Sequence, residues 1–375
     1  MLKHWTLRWR TLHKRRLLQQ CGRCRCQSDV GGGRTDGRSG SSFRSPATLR
    51  LLQALQTRTL REAEVREMLA PELAKWRPGQ ATQILSDLKA AGKPEVALDV
   101  LRAMRSARLA VNVFHYGASI SACRVSGQWQ TALSLLHEMD QRSLRKDTIT
   151  CGASISVCEK GGQWQVALGL LCDMSRAKVR KDTITYNSSI SACEKAGQWP
   201  ATLILLSEMT RQQVVKDTIS WSAGISACEK GAKWQVALVL LQEMSSNEVV
   251  KDTITFNASI SACEKGGQWQ AALRLLAGME ELRLLPTSVT YNALISACEK
   301  ASTWQVALRL FDEMAEKDVQ KDTITYSASI SACEKDAQWQ LALSLLQRWR
   351  QMRFHRSLLT SGTDHHAMPS SVWKN

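Results

Sequence analysis

Long apolar runs and the common catalytic motifs are missing from this 375-residue sequence. No window approaches the roughly 18 consecutive apolar residues of a membrane-spanning helix, so no membrane partner is expected. The sequence also contains no Gly-x-x-x-x-Gly-Lys-Ser/Thr phosphate loop, no strand-framed Gly-x-Gly-x-x-Gly turn and no Gly-x-Ser-x-Gly nucleophile motif. We therefore expect neither an enzyme nor a cofactor, nor a small-molecule substrate.

Acidic residues are absent from the first 28 positions. Residues 1–50 hold 12 Lys and Arg but only Asp29 and Asp36, so most of the net charge of +16 lies at this end. Leu2, Trp5 and Trp9 share one face of a basic helix, and a Gly/Ser/Arg-rich stretch follows. This pattern predicts an organellar transit peptide and flexible linker over 1–45, with the mitochondrion ahead of the plastid. A solvated basic tail on a cytosolic or nuclear protein is the alternative.

Cys21, Cys24 and Cys26 form the densest cysteine cluster in the chain. Thiolates at this spacing suit tetrahedral zinc, but no second Cys/His pair follows at ligand spacing. No metal site is therefore expected.

The strongest signal is a repeat with a period of 35 residues. Seven tryptophans recur at this step without an insertion: Trp129, Trp164, Trp199, Trp234, Trp269, Trp304 and Trp339. Seven cysteines keep the same step, each six residues before a Trp: Cys123, Cys158, Cys193, Cys228, Cys263, Cys298 and Cys333. Copies in such strict register predict stacked, nearly identical structural units.

Each repeat is predicted to be a helical hairpin, as residues 253–287 show when numbered 1 to 35. Asp252 and Thr253 can cap a first helix, and Gly266-Gly267 ends it. Positions 4, 7, 8 and 11 fall on one apolar face, whereas positions 2, 5, 9 and 13 fall on the opposite face. A second helix follows, with Trp269 and Ala272 on its apolar face and a small residue at position 20 that permits close helix approach.

These observations predict an all-α fold, a right-handed α-solenoid of stacked hairpins. Seven repeats occupy 113–357, and 78–112 fits the same frame as a degenerate repeat without the Trp and Cys. Residues 46–77 are predicted to form an N-terminal helical cap, and 358–375 a polar tail.

The repeat resembles the pentatricopeptide repeat, of the uniform type found in algal organellar members. The resemblance rests on the block Asp-Thr-Ile-Thr-Tyr-Asn, then Ile-Ser-Ala-Cys-Glu-Lys, then Gln-Trp-Gln, and covers about 78–357. One departure is that position 34, usually Pro, is Lys in five copies: Lys146, Lys181, Lys216, Lys251 and Lys321. Another is the Trp at position 17, where the family has an ordinary aliphatic residue.

The resemblance implies binding of single-stranded RNA, one base per repeat. In the family, position 2 helps to sandwich the base, and positions 5 and 35 address its Watson–Crick edge. The position-2 residues assigned to RNA are Ile184, Ile219, Ile254 and Val289, with Phe114, Ile149 and Ile324 equivalent to them. The alternative is that the next hairpin covers these side chains as ordinary core.

The pairs at positions 5 and 35 differ between repeats that are otherwise nearly identical. The resemblance implies uracil for Asn187/Asp217 and Asn292/Asp322, guanine for Ser222/Asp252, a pyrimidine for Asn257/Thr287 and adenine for Thr82/Asn112. Gly117/Asp147 and Gly152/Asp182 leave their bases weakly specified, and Ser327/Ser357 is not assigned. The implied target is 5′-A-n-n-U-G-Y-U-n-3′. Neutral drift at surface positions is the alternative.

The lysines at position 13 could meet RNA phosphates or form a solvated Glu–Lys edge, since each follows a Glu: Lys195, Lys230, Lys265 and Lys300, with Lys160 and Lys335 equivalent to them. A consensus repeat is nearly neutral, so modest affinity is expected.

Two functions from different classes stay open. The first is an RNA-binding adaptor acting on organellar transcripts, with RNA-processing proteins as candidate partners. The second is a scaffold that binds a protein or peptide. Variation confined to positions 2, 5 and 35 favours RNA. The recurring Cys at position 11 is read as a buried thiol, and the zinc deaminase signature is missing.

Overall fold

The computed structural model describes residues 78–361, which form sixteen α-helices and no strand. The helices are α1 (Pro78–Ala90), α2 (Pro94–Ser106), α3 (Val113–Ser126), α4 (Trp129–Gln141), α5 (Thr148–Lys160), α6 (Trp164–Arg176), α7 (Thr183–Lys195), α8 (Trp199–Arg211), α9 (Thr218–Lys230), α10 (Trp234–Ser246), α11 (Thr253–Lys265), α12 (Trp269–Glu281), α13 (Ser288–Lys300), α14 (Trp304–Glu316), α15 (Thr323–Lys335) and α16 (Trp339–Ser361). The predicted all-α class is confirmed.

The first helix of a repeat begins at a side-chain cap. In α11, the Thr255 amide donates to Asp252 Oδ1 at 2.8 Å, and the Asp252 amide donates to Thr255 Oγ1 at 3.0 Å. This reciprocal pair satisfies two amides that have no partner within the helix. Asp252 is thus the N-cap, as predicted, and Thr253 is the first helical residue.

The turn inside each hairpin uses a left-handed residue at position 15. Gly267 has φ +65° there, and the same position in the degenerate repeat is Gly92 with φ +64°. A second left-handed residue ends the second helix, and it is never Gly in the described repeats: Arg108, Ser143, Lys178, Gln213, Glu248, Arg283 and Asp318. After it, the amide of a residue such as Val179 donates to the carbonyl of Met174 at 2.9 Å, which closes the helix end.

The core is formed by the faces that the periodicity predicts. In the repeat 253–287, Ile260 and Cys263 on the first helix and Ala272 and Met279 on the second have no exposed surface. Cys residues at position 11 are buried in every full repeat, as predicted for small apolar side chains. Burial raises the pKa of Cys228 to about 12, so the thiol stays neutral at pH 7.

The chain divides into two compact units, 1–192 and 193–375. In the described part of the first unit, α3 packs between α1 and α5. In the second unit, α9, α11, α13 and α15 pack side by side in chain order, each also against the second helix of its own hairpin. Each unit is therefore a helical-repeat stack, in which a hairpin completes its core only against its neighbours.

Several predicted segments lie outside the described residues. The transit peptide and linker (1–45) and the cap (46–77) are among them. The predicted tail (358–375) is described only to Ser361, because α16 continues past the expected end of the last repeat at Ser357. The sequence from Trp339 onward contains no Gly or Pro before Gly362, so no helix-stop signal occurs at the predicted boundary.

The tryptophan at position 17 packs on the turn of the following hairpin. A Cβ added to Gly266 would lie 2.2 Å from Trp234 Cδ1, and one added to Gly231 would lie 2.4 Å from Trp199 Cδ1. Trp339, on which no described hairpin packs, is 64% exposed. The Trp and the small residue at position 14 are therefore two halves of one inter-repeat contact.

The lysine that replaces Pro at position 34 covers the aromatic residue at position 4 of the next repeat. Lys216 Nζ lies 4.6 Å from the centroid of the Trp221 ring, within cation–π range, and burial lowers the pKa of Lys216. Two other copies do the same, at 5.6 and 5.8 Å: Lys181 over Tyr186 and Lys251 over Phe256. Where position 4 is Cys151, Lys146 instead pairs with Asp140 at 2.6 Å.

Substitution of Gly266 by Ala tests the Trp contact. The new methyl group would overlap a rigid indole ring, so we expect a loss of about 1–3 kcal/mol in the free energy of unfolding. Gly169→Ala is the matched control, because a Cβ there meets nothing within 4 Å, and a gain of about 0.5–1 kcal/mol is expected in that helix. Urea unfolding of both variants measures this, and equal effects would contradict the contact.

The Tyr at position 4 bonds to the second helix and gives a pH test. Tyr291 Oη donates to Glu313 Oε1 at 2.9 Å. Burial, then this hydrogen bond, raises the pKa of Tyr291 to about 12, above its ordinary value near 10. The raised pKa means that the stabilisation is complete below pH 10 and is lost as the pH rises toward 12. We expect Tyr291→Phe to lose less stability than the unsubstituted chain between pH 10 and 12 in thermal melts. Buried thiols titrate in both proteins, so parallel curves would exclude the Tyr contribution.

Candidate nucleic-acid interface

The side chains at position 2 lie on the surface of every first helix from α3 to α15. They are 57–71% exposed although all are large and apolar: Phe114, Ile149, Ile184, Ile219, Ile254, Val289 and Ile324. This confirms the predicted exposure of position 2 and rules out the alternative in which the next hairpin buries these side chains as core. Position 5, predicted on the same face, is less exposed: Asn292 is 9% exposed, and Gly117 and Gly152 are buried.

Positions 5 and 35 are in direct contact where position 5 is Asn. Asn292 Nδ2 donates to both carboxylate oxygens of Asp322, at 3.2 and 3.0 Å. Asn292 Oδ1 accepts from Thr325 Oγ1 at 2.6 Å. The amide therefore has one fixed orientation, set by two residues at the start of the next first helix.

The pair Asn257/Thr287 forms the same arrangement with a neutral partner. Asn257 Oδ1 accepts from Thr290 Oγ1 at 2.6 Å, and Asn257 Nδ2 lies 3.5 Å from Thr287 Oγ1. Because a Thr hydroxyl is a weaker acceptor than a carboxylate, this amide nitrogen is held less firmly than that of Asn292.

The remaining pairs differ in what position 5 offers. Ser222 Oγ donates to the Ile219 carbonyl of its own helix at 3.1 Å and makes no hydrogen bond with Asp252. Gly117 and Gly152 have no side chain to offer, and a Cβ at either would lie 3.6 Å from the Thr at position 3 of the next repeat.

The four residues of the other two predicted pairs, Thr82/Asn112 and Asn187/Asp217, each lie in or cap a first helix. Asn112 caps α3, accepting from the His115 amide at 3.1 Å, and Thr82 lies in α1. Asn187 lies in α7, and Asp217 caps α9, accepting from the Ser220 amide at 2.9 Å.

The residue at position 35, which the family resemblance assigns to base reading, acts in the structure as a helix cap. Burial alone would raise the pKa of Asp322, but hydrogen bonds from Thr325, Asn292 and the Ile324 amide outweigh it and lower the pKa. The carboxylate is thus ionised at neutral pH. Asp147 and Asp182 accept hydrogen bonds from the amides of Thr150 and Thr185, each at 2.8 Å.

The lysines at position 13 form an ion-pair ladder. Four of them pair with the Glu at position 12 of the preceding repeat, at 2.7 to 3.1 Å: Lys230–Glu194, Lys265–Glu229, Lys300–Glu264 and Lys335–Glu299. Lys195 occupies the same position at the end of α7. The ladder gives these four ammonium groups a carboxylate partner, as in the solvated-edge alternative, and reduces their charge toward a phosphate.

Sequence reasoning missed the residue at position 3. The side chain there is buried, caps its own helix and, in two repeats, orients the Asn at position 5 of the preceding repeat. Its signal was a small polar residue, Thr in five copies and Ser in one, at a place where the predicted face left no reason for one.

Comparison of Thr325→Val with Thr150→Val tests this orienting role. Both remove a buried hydroxyl from position 3, but only Thr325 donates to an Asn, since position 5 is Gly117 in the repeat before Thr150. Thr325→Val leaves Asn292 Oδ1 without its donor, so we expect an additional loss of about 1–2 kcal/mol in urea unfolding. Equal losses would show that the hydroxyl acts only as a cap.

Within 78–361, no three His, Cys, Asp or Glu side chains lie close enough together to hold a metal ion. No helix of this described part is long and apolar enough to cross a membrane.

Models of one repeat family match the chain along most of the stack. The PPR repeat family matches 251–300 and 286–335, a pentatricopeptide repeat-containing protein model matches 79–155, the pentatricopeptide repeat domain matches 134–196, and the PPR repeat matches 184–214. Together these segments take in more than half of the chain. The chain belongs to the pentatricopeptide repeat family.

A solved pentatricopeptide repeat structure shows the same fold. The pentatricopeptide repeat protein PPR10 from maize is 25% identical, with a TM-score of 0.65, and the match covers 83% of this chain and 44% of that one. The chain thus spans less than half the length of PPR10. PPR10 in complex with an 18-nucleotide psaJ RNA element is matched at 16% identity, a TM-score of 0.45 and coverage of 79% and 49%. The PPR domain of Arabidopsis thaliana protein-only RNase P 1 in complex with tRNA is matched at 15% identity and a TM-score of 0.42. That match covers 50% of this chain and 94% of that one. No curated protein matches the sequence.

Proposed function

We propose that this protein binds single-stranded RNA with one base per repeat, between the exposed residues at position 2 and against the pair at positions 5 and 35. The observation that carries the proposal is the Asn292–Asp322–Thr325 network. It holds polar groups rigidly beside an uncovered apolar side chain, which together offer a base a stacking surface and a hydrogen-bonding edge. Membership of a family whose member PPR10 has been solved with RNA supports it.

The proposed target is 5′-A-n-n-U-G-Y-U-n-3′, read from the N-terminal repeat to the C-terminal one. The reading positions are Thr82/Asn112, Asn187/Asp217, Ser222/Asp252, Asn257/Thr287 and Asn292/Asp322, with Asp147 and Asp182 beside glycines. Each well-read base contributes about 1–3 kcal/mol of discrimination. Five read bases suffice for selection in a small organellar transcriptome.

The lysines at position 13 (Lys195, Lys230, Lys265 and Lys300) lie at the edge of the proposed interface. Four links of the ladder share the lysine charge with glutamates, so the salt dependence of binding should be shallow for so basic a protein.

The proposed role is that of an adaptor rather than an enzyme. It would protect, unfold or mark an organellar transcript, in the mitochondrion ahead of the plastid, and bring RNA-processing proteins to it. Direct protein binding without RNA is the competing outcome of the experiment below.

Ser222→Asn tests the reading of a single base. The variant recreates the Asn/Asp pair of the repeat 288–322, so preference at the fifth nucleotide should move from G to U. We expect the U/G affinity ratio to rise roughly tenfold or more, since 1.4 kcal/mol corresponds to a factor of ten. Fluorescence anisotropy with the full chain and two RNAs that differ only at this nucleotide measures it at fixed salt.

The control is Ser207→Asn, the same substitution at an exposed position on the second helix α8. It lies away from the reading surface, by which we mean the residues at positions 2, 5 and 35 of the repeats. It should leave both affinities unchanged. A chain that binds neither RNA, or binds both equally before and after Ser222→Asn, would refute modular reading and favour a protein partner.

A further inference from the structure

Two exposed arginines lie next to the reading surface without a partner. Arg145 and Arg180 occupy position 33 of their repeats, and neither guanidinium has a hydrogen bond or ion pair with any residue of 78–361. By contrast, Arg142 pairs with Glu138 at 3.1 Å, and Arg176 pairs with Asp173 at 3.0 Å. An unpaired guanidinium keeps its full charge and its fork of donors for an external anion.

Both arginines lie in the short non-helical segment that leads to a residue at position 35. Residues 144–147 and 179–182 are non-helical, and Asp147 is fully extended at φ −107° and ψ 172°. Arg180 lies two residues before Asp182, the residue at position 35, and next to Lys181, whose ammonium group lies 5.6 Å from the centroid of the Tyr186 ring.

A hydrogen bond fixes Arg180 beside the first helix of its own repeat. Thr148 Oγ1 donates to the Arg180 carbonyl at 2.8 Å. Thr148 begins α5 and is followed by Ile149, the position-2 residue, which is 71% exposed. Arg180 is therefore held near the edge of the place where a base would stack in that repeat.

The arginines occur only where the base is not read. The two repeats with Arg at position 33 are the two with Gly at position 5, Gly117 and Gly152. The next three repeats, with Asn187, Ser222 and Asn257 at position 5, have exposed aliphatic residues at position 33: Val215, Val250 and Leu285. The repeat 288–322 has Gln320 there. The two repeats that lack a side chain at position 5 are thus the two that carry an arginine at position 33.

We propose that Arg145 and Arg180 bind RNA phosphodiester groups, so that the repeats 113–147 and 148–182 grip the backbone of the RNA while the later repeats read its bases. This inference rests on the proposed RNA-binding function. It assigns the second and third nucleotides of the target, both unspecified, a role as a sequence-independent anchor.

The double variant Arg145→Gln/Arg180→Gln tests the anchor. Each phosphate contact with a single strand contributes about 0.7 to the slope of log affinity against log salt, so the slope should fall by about 1.4. The affinity of the full chain at physiological salt should fall roughly tenfold, and equally for the target RNA and for an RNA with its read bases scrambled. An altered ratio between the two RNAs would overturn the anchor role.

Arg274→Gln/Arg309→Gln is the matched control. These arginines are also exposed, 35 residues apart and unpaired within the described residues, but they lie on the second helices α12 and α14. Their removal costs the same net charge, so it separates a local contact from a general loss of charge. Equal slopes for the two double variants would overturn the proposal.

Two further measurements locate the contact. Neutral methylphosphonate linkages at the second and third nucleotides of the target should weaken binding to the unsubstituted chain, but not further weaken the Arg145/Arg180 variant. Val250→Arg, at a side chain 77% exposed, should raise the salt slope by about 0.7. Additive losses, or no gain with Val250→Arg, would contradict phosphate binding at position 33.

RNA binding by the unsubstituted chain with an unchanged slope in the double variant refutes the anchor alone, whereas no RNA binding at all refutes both proposals.

Discussion

The start of each first helix is the constraint on which the candidate interface depends. A helix leaves its first amides without partners, and here the side chain at position 35 accepts one of them. The same side chain faces position 5 of the preceding helix. Wherever a first helix follows, the residue found at position 35 is therefore one of the good N-caps, Asn, Asp or Thr. The restriction fits base reading, and it also means that drift among capping residues would produce a similar list.

Charge is divided between the two ends of the first helix. At its C-terminal end, the Glu and Lys of successive repeats neutralise one another in a ladder, as at Lys265–Glu229. At its N-terminal end, the lysine at position 34 turns inward over an aromatic ring, whereas Arg145 and Arg180 stay unpaired. A total charge of +16 thus overstates the charge available to a polyanion, because the arrangement of partners decides how much of it is free.

Much of the fold could be predicted because the same 35-residue pattern occurs seven times in the sequence. The buried face of Ile260 and Cys263, the exposed face of Ile254 and the cap at Asp252 all follow from helical spacing and capping chemistry. The closure of the second helix by left-handed residues such as Lys178 could not be predicted, since none of them is Gly. The continuation of α16 to Ser361 was missed because the expected repeat end has no stop signal.

The hairpin, its period and the outward position of residues such as Ile254 could be predicted, because they depend on local spacing along the chain. The contacts between residues about 30 or more positions apart could be seen only in the folded stack. These include the Trp234 ring on Gly266, the partner of Lys265, and the bond from Thr325 to Asn292. The periodicity of one helix cannot specify these pairs, since each depends on how far the neighbouring hairpin is shifted and rotated when it packs.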